Sequence, residues 1–245
     1  MEIQSTTDFR PVLRGLYESQ LLRPAAWSDE SDHAFIGNYL IERSIAQLAQ
    51  TVQGELIDVG CGAQPYRKYY AHATRITACD FDGARGQVDF TCPAHAIPVE
   101  GNSFDIVFCT EVLEHVPDPD AVWREFYRVL RPGGKVMLTT PMYWPSHERP
   151  YDFYRYPEHG LRRLANDAGF EVKQLIPRGG VWAFLGQVIM HVMPQYLKFK
   201  WQRKIHNRLF LKLDALRMNP TITLGWTILA QKPIEASASN TAAAK

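Results

Sequence analysis

Among 245 residues the chain holds only four cysteines, Cys61, Cys79, Cys92 and Cys109, and no Cys-x-x-Cys pair. That pattern argues against a zinc site built on thiols and against a disulfide framework, so all four are expected to be reduced. An excess of one charge is missing too. The 27 basic and 26 acidic side chains leave a net charge of +1. That balance argues against a globally electrostatic nucleic-acid binder and leaves room only for a local basic patch. No charged-then-apolar leader precedes the first helix, which makes the cytoplasm the expected compartment. The apolar stretch VWAFLGQVIMHVMPQYL, from Val181, is interrupted by Pro194 and polar residues and does not read as a membrane span. There is no internal repeat. What remains is a composition of 46% hydrophobic and 22% charged residues. This suits one large globular α/β domain, alone or with appendages.

The most informative segment is ELIDVGCGAQPY, Glu55 to Tyr66. Leu56, Ile57 and Val59 form a buried strand that carries one acid, Asp58, and then breaks into Gly60-Cys61-Gly62. Two residues without side chains at the end of a strand allow a ligand to approach the backbone. A helix is expected to follow, with its free N–H groups turned to the same ligand. A second strand, RITACDFD, ends about 20 residues on in Asp80, where a doubly wound sheet would use an acid for the hydroxyls of a ribose. NSFDIVFCTEVLEHV adds an apolar strand with a helical start, and VLRPGGKVMLTTP adds a helix end, a Gly-Gly turn and another strand.

This ordered set resembles the class I S-adenosylmethionine-dependent methyltransferases, especially the branch with DVGCG, SFDIV, EVLEHV and VLRPGG. The resemblance runs from about Glu55 to Val172. It implies an α/β, Rossmann-like, doubly wound sheet of seven strands, mainly parallel with an antiparallel last strand. TITLGWTILAQK supplies that last strand, and the cofactor is S-adenosylmethionine. By the same resemblance Asp58, Gly60, Cys61 and Gly62 lie beside the amino-acid part of the cofactor, and Asp80 holds the ribose. Phe81 either packs on the adenine or joins the core. Thr110 and Glu111 form the opposite wall. The chain departs from the family in two places. Ala63-Gln64-Pro65 replaces a further glycine, and Pro93 in CPAHAIPV replaces an acid that contacts adenine, which leaves only a backbone contact from Ala94. An NAD-dependent oxidoreductase is a poorer match, because Pro65 stands at the sixth position of Gly-x-Gly-x-x-Gly.

Glu111, Glu114 and His115 also have the spacing of a metal site found in ubiquinone-pathway and small-RNA-terminus O-methyltransferases, with His147 as a further ligand. The same EVLEHV occurs in relatives without metal, and no metal is expected here. The segment PMYWPSHERPYDFYRYPEHGL, Pro141 to Leu161, follows the fifth strand, where this fold commonly builds its acceptor pocket. Its HERPYDFYRY core is similar to stretches in bacterial methyltransferases of sugar and natural-product pathways. Aromatic walls with a few polar groups suit a small acceptor. Tyr143, Asp152 and Tyr154, with His115, are the expected acceptor contacts, although Asp152 and Arg155 also make a natural pair that would fix the loop. His147 is the expected general base, against the plainer reading of a surface hydrogen-bonding residue.

Three regions are therefore expected: an N-terminal arm and helix over residues 1–50, a methyltransferase domain over 51–232, and a disordered tail over 233–245. Asp32 should cap the N-terminal helix, and Asp118-Pro119 should start another. The insertion at 181–219 precedes the last strand and reads as a helical lid over the acceptor pocket. Its basic, aromatic part, KFKWQRKIHNRLFLKL, leaves open a surface for anionic membrane or a lipid-linked substrate. The function expected is methyl transfer to a small-molecule or glycan-like acceptor, free or lipid-linked, at a hydroxyl oxygen. A cofactor-binding but silent partner or regulatory subunit is the alternative.

Overall fold

The structure is a computed structural model that describes residues 29–82, 87–193, 196–217 and 219–234. Most of the expected N-terminal arm, residues 1–28, and of the expected tail, residues 235–245, lies outside the described residues. The chain runs α1 (Phe35–Ala49), β1 (Glu55–Val59), β2 (Arg75–Asp80), β3 (Phe90–Thr91), β4 (Phe104–Thr110), α2 (Pro119–Val129), β5 (Leu130–Pro141), α3 (Glu158–Asp167), β6 (Glu171–Pro177), α4 (Val181–Val192), α5 (Lys200–Leu216) and β7 (Gly225–Gln231). All seven strands join one sheet in the order β3-β2-β1-β4-β5-β7-β6.

β1 is apolar because it is central. It pairs in parallel with β2 on one side and β4 on the other, and Leu56, Ile57 and Val59 are at most 1% exposed. A strand buried on both faces needs a continuous apolar run rather than alternation. The last strand is antiparallel, as expected. At one end Gly133 and Gly134 exchange backbone hydrogen bonds with Lys232, and at the other the Met142 N–H donates to the Leu224 carbonyl.

α2 begins where its sequence says it should. The Asp118 carboxylate accepts from the Ala121 N–H at 2.9 Å and Pro119 occupies the first turn, while Val122, Trp123, Phe126 and Val129 form the buried stripe. The helix ends at Val129, earlier than the Gly-Gly pair, because Pro132 cannot continue it. Residues 131–134 are instead looped out of β5, between the pairs Phe104↔Leu130 and Ile106↔Lys135. Arg131 uses this bulge to reach Asp105 at 2.9 Å and Glu55 at 3.0 Å.

The described chain divides into two compact units. One takes the described residues of Met1–Gln47 together with Pro141–Pro145 and Ile176–Thr227. In it α4 packs on α5, and the Gln187 side chain accepts from the Gly37 N–H and donates to the His33 carbonyl. Asn207 of α5 bonds the Glu30 carbonyl. The buried Asp214 carboxylate accepts from the Gly180 and Ala183 N–H groups, which satisfies the start of α4. The helix of the expected arm thus shares a unit with the 181–219 insertion. The other unit takes Leu48–Thr140, Ser146–Leu175 and the described residues of Ile228–Lys245. There Lys232 closes α2, its ammonium donating to the Tyr127 and Leu130 carbonyls and the Asn102 side chain at 2.7–2.9 Å.

Lys232→Ala removes all three donations and the cation over the Tyr127 ring. It is expected to lower unfolding free energy by about 2–3 kcal/mol. Urea denaturation measures this, and an unchanged midpoint at unchanged slope would contradict the assignment.

Candidate functional site

The parallel register determines which residues meet. Val59 is level with Cys79 on β2 and with Cys109 on β4. The next residues, Gly60, Asp80 and Thr110, therefore emerge together at the carboxyl ends of three adjacent strands, where β1 has neighbours leading in opposite directions. This is the topological switch point of a doubly wound sheet.

Gly60 has φ +67°, and a Cβ there would sit 2.3 Å from a Val112 methyl carbon, so only glycine fits. Gly62 has φ +49° and faces space, with nothing within 4 Å of where its Cβ would be. Its N–H donates to Asp80 Oδ2 at 2.8 Å, while the Phe81 N–H donates to Asp80 Oδ1 at 2.7 Å. Asp80 is thus held at the mouth of the loop by two backbone donors, and each oxygen keeps a lone pair for another partner. The Phe81 ring beside it is 70% exposed, so the structure places it on the surface and not in the core. Ala94, after β3, is nearly buried. Glu111 has φ +52°, its N–H donates to the Thr139 carbonyl, and its carboxylate accepts from the Thr139 hydroxyl at 2.8 Å.

The helix expected after Gly62 does not form. Residues 61–70 are turns with a single 3-10 turn, Arg67–Tyr69. Gln64, at φ +53°, joins the two glycines in a left-handed conformation, which breaks a right-handed helix before Pro65 could start it. The loop is held from below instead. Asp58 is 2% exposed, and its carboxylate accepts a hydrogen bond from the Tyr70 hydroxyl, with Tyr70 itself buried against Phe108. Burial pushes the Asp58 carboxyl up to about 7, opposed by the Tyr70 bond. Cys61 lies buried beside it.

A second cluster comes from the 3-10 turn Leu113–His115 and the segment after β5. Ligand-type atoms of Glu114, His115 and His147 all lie within 4.8 Å of one another. His115 Nε2 is 3.8 Å from the buried Glu114 carboxylate and 3.9 Å from that of Glu148, and the two imidazole centroids are 4.6 Å apart. His115 Nδ1 lies 2.6 Å from the Tyr151 carbonyl. A carbonyl can only accept, so Nδ1 carries the hydrogen and Nε2 of the neutral ring offers its lone pair to the cluster. The arrangement can hold a proton or a cation. Glu111 is not part of it, since its carboxylate is turned to Thr139.

The other expected acceptor contacts have partners of their own. Asp152 bonds Arg155 at 2.6 and 3.1 Å and the His147 N–H at 3.1 Å, and Arg155 holds its carboxyl well below the usual range. Tyr154 donates to the Pro117 carbonyl at 2.9 Å. Tyr143 lies in the other unit, against Phe184 and His191. Sequence reasoning counted Glu148 among the polar residues of the acceptor segment without a role, and gave Glu114 only a metal-spacing one. The signal for Glu148 was its place beside His147.

The displacement of Asp58 has a consequence for stability. Because its pKa is higher folded than unfolded, the folded chain holds the proton longer, so the stabilisation is present at low pH and is lost as pH rises from about 4 to about 7. The penalty is about 2 kcal/mol at pH 5 and about 4 kcal/mol at pH 8. Asp58→Asn should therefore gain about 2–3 kcal/mol more over wild type at pH 8 than at pH 5 in urea unfolding. A difference independent of pH would contradict the buried-acid account.

Residues 57–138 match the family model described as a methyltransferase domain. Phosphoethanolamine N-methyltransferase 3 of Arabidopsis thaliana is 27% identical over 143 residues, 48% of this chain and 29% of that protein. A ubiquinone biosynthesis O-methyltransferase of Xanthomonas oryzae is 34% identical over 100 residues, 35% of this chain and 42% of that protein. The chain spans less than half the length of these curated relatives. Among solved structures, that of the 4+2 cyclase SpnF superposes with a TM-score of 0.55 at 19% identity, covering 93% of each chain, which shows a shared fold. Residues 57–138 therefore carry a methyltransferase domain of the S-adenosylmethionine-dependent kind, on a sheet with the strand order of that fold.

Proposed function

We propose that the domain moves a methyl group from S-adenosylmethionine to a hydroxyl oxygen of a small-molecule or glycan-like acceptor in a biosynthetic pathway. The observation that carries this reading is the His115–His147 pair beside the buried Glu114, in the same unit as the Asp80 edge. The curated relatives include both O- and N-methyltransferases, so the choice of oxygen rests on that pair rather than on likeness. All four cysteines are free and buried, which suits a reducing compartment, the cytoplasm.

In this reading the Asp80 carboxylate accepts from both ribose hydroxyls, its aim set by the Gly62 and Phe81 N–H groups. The exposed Phe81 ring covers one adenine face, and the Ala94 backbone meets its edge. Gly60, Cys61 and Gly62 give the methionine portion a backbone surface without side-chain obstruction, and Asp58 supports that loop from beneath. Thr110 and Glu111 close the opposite wall. Bound there, the cofactor supplies an electrophilic methyl group on a sulfonium. With the methyl group passing to the acceptor oxygen and the electron pair of its former bond staying on sulfur, His147 would take the hydroxyl proton. Asp152, kept anionic by Arg155, lies 3.9 Å from His147 Nδ1 and steadies the imidazolium that forms.

A second reading, cofactor binding without turnover, is favoured by one observation. Pro93 and the nearly buried Ala94 present no polar side chain to an adenine. Calorimetric titration with S-adenosylmethionine, followed by a labelled-methyl screen of hydroxylated small molecules and sugars, separates the two. His147→Ala should lower kcat by at least about 100-fold while cofactor affinity stays within about twofold. Full activity in that variant would remove His147 as the base. Tight cofactor binding without transfer to any acceptor would favour the silent subunit.

A further inference from the structure

The connection between α4 and α5 departs from ordinary surface chemistry. Tyr196, Phe199 and Trp201 are 68%, 60% and 60% exposed, next to Val192 at 60% and Met193 at 43%. α4 and α5 pack against each other, with His206 Nε2 2.9 Å from the Gly186 carbonyl, so these residues stand together at one tip of a helical hairpin. The apolar surface continues along α5 through Ile205 and Leu209, at the i+4 and i+8 positions from Trp201, which keeps it on one helical face. Scattered exposed apolar residues need no explanation, but a contiguous stripe that ends in aromatics does.

Charge accompanies that stripe. Lys200, Lys204, Arg208 and Lys212 follow its edge, Lys198 stands between the tip aromatics, and the only acid of α5, Asp214, is buried. Asp29 lies 3.8 and 3.7 Å from Lys200 and Lys204, and Glu30 bonds Arg208 at 2.7 Å, which offsets part of the charge and leaves the face basic. A second copy of the chain would bring the same basic face against itself in a two-fold contact. Nucleic acid would use the aromatics but has no use for Val192, Met193, Ile205 and Leu209. A bilayer with anionic headgroups uses both, since Trp and Tyr favour the interface, aliphatic groups reach the acyl chains and lysines meet the phosphates. No helix among the described residues is long and apolar enough to cross a membrane.

We propose that the α4–α5 tip is a docking surface for an anionic lipid bilayer, entered by Tyr196, Phe199 and Trp201 and held by Lys198 and Lys200. This surface is independent of the methyl-transfer reading and can be tested without an acceptor.

The test is co-sedimentation of the full chain with phosphatidylcholine vesicles, with and without phosphatidylglycerol, at low and high salt. Brominated-acyl lipids report tryptophan insertion by quenching. The chain should sediment with the anionic vesicles only, salt should weaken it, and bromolipid should quench its fluorescence. Trp201→Ser should lower the partition coefficient at least about tenfold and lose most of the quenching. Lys198→Glu with Lys200→Glu should lower it by more than about tenfold on anionic vesicles. Both variants should keep wild-type melting and S-adenosylmethionine affinity. No sedimentation with anionic vesicles, or variants that bind like wild type, would overturn the proposal. So would self-association of the chain, or binding to single-stranded RNA, that these variants abolish while vesicle binding is absent.

Discussion

The parallel pairing of β1 with β2 on one side and β4 on the other is the constraint on which the rest depends. Strands in register end together, and a central strand whose neighbours lead in opposite directions leaves an opening at its carboxyl end. Gly60, Asp80 and Thr110 reach that opening because Val59 is level with both Cys79 and Cys109. No long-range fold change is needed to assemble this edge. It follows from backbone hydrogen bonding and from where each apolar run stops.

The loop over this edge is built unusually. A doubly wound fold commonly follows its first glycine turn with a helix whose N-terminus faces the ligand. Here three left-handed residues, Gly60, Gly62 and Gln64, prevent that helix, and the Gly62 and Phe81 N–H groups fix the Asp80 carboxylate instead. Asp58 stays beneath the loop in a bond with Tyr70. An acid buried in this way works against stability at neutral pH, and in return it fixes Tyr70 against Phe108 below the glycines.

Much of the frame was legible in the sequence because it is local. Apolar runs that end in Gly-Cys-Gly or Asp80 define strands and their ends, and Asp118-Pro119 starts α2 through a contact three residues away. The antiparallel last strand came from family resemblance, since no periodicity distinguishes strand direction. The second cluster was only half legible. Glu114 and His115 adjoin in sequence, but His147 reaches them because the Phe153 and Tyr154 N–H groups bond the Glu114 carbonyl and the Tyr154 hydroxyl bonds the Pro117 carbonyl. Contacts of such separation leave no trace in composition or spacing. The same holds for α1 and the insertion, which share a unit through Gln187 and Asn207, far along the chain from their partners.

The most direct measurement is a crystal structure with S-adenosylhomocysteine. The account predicts both ribose hydroxyls on the Asp80 carboxylate, adenine beside Phe81 and the amino-acid portion along Gly60–Gly62, with the sulfur turned towards the His115–His147 pair. A nucleoside bound away from Asp80, or a sulfur facing away from both imidazoles, would contradict it.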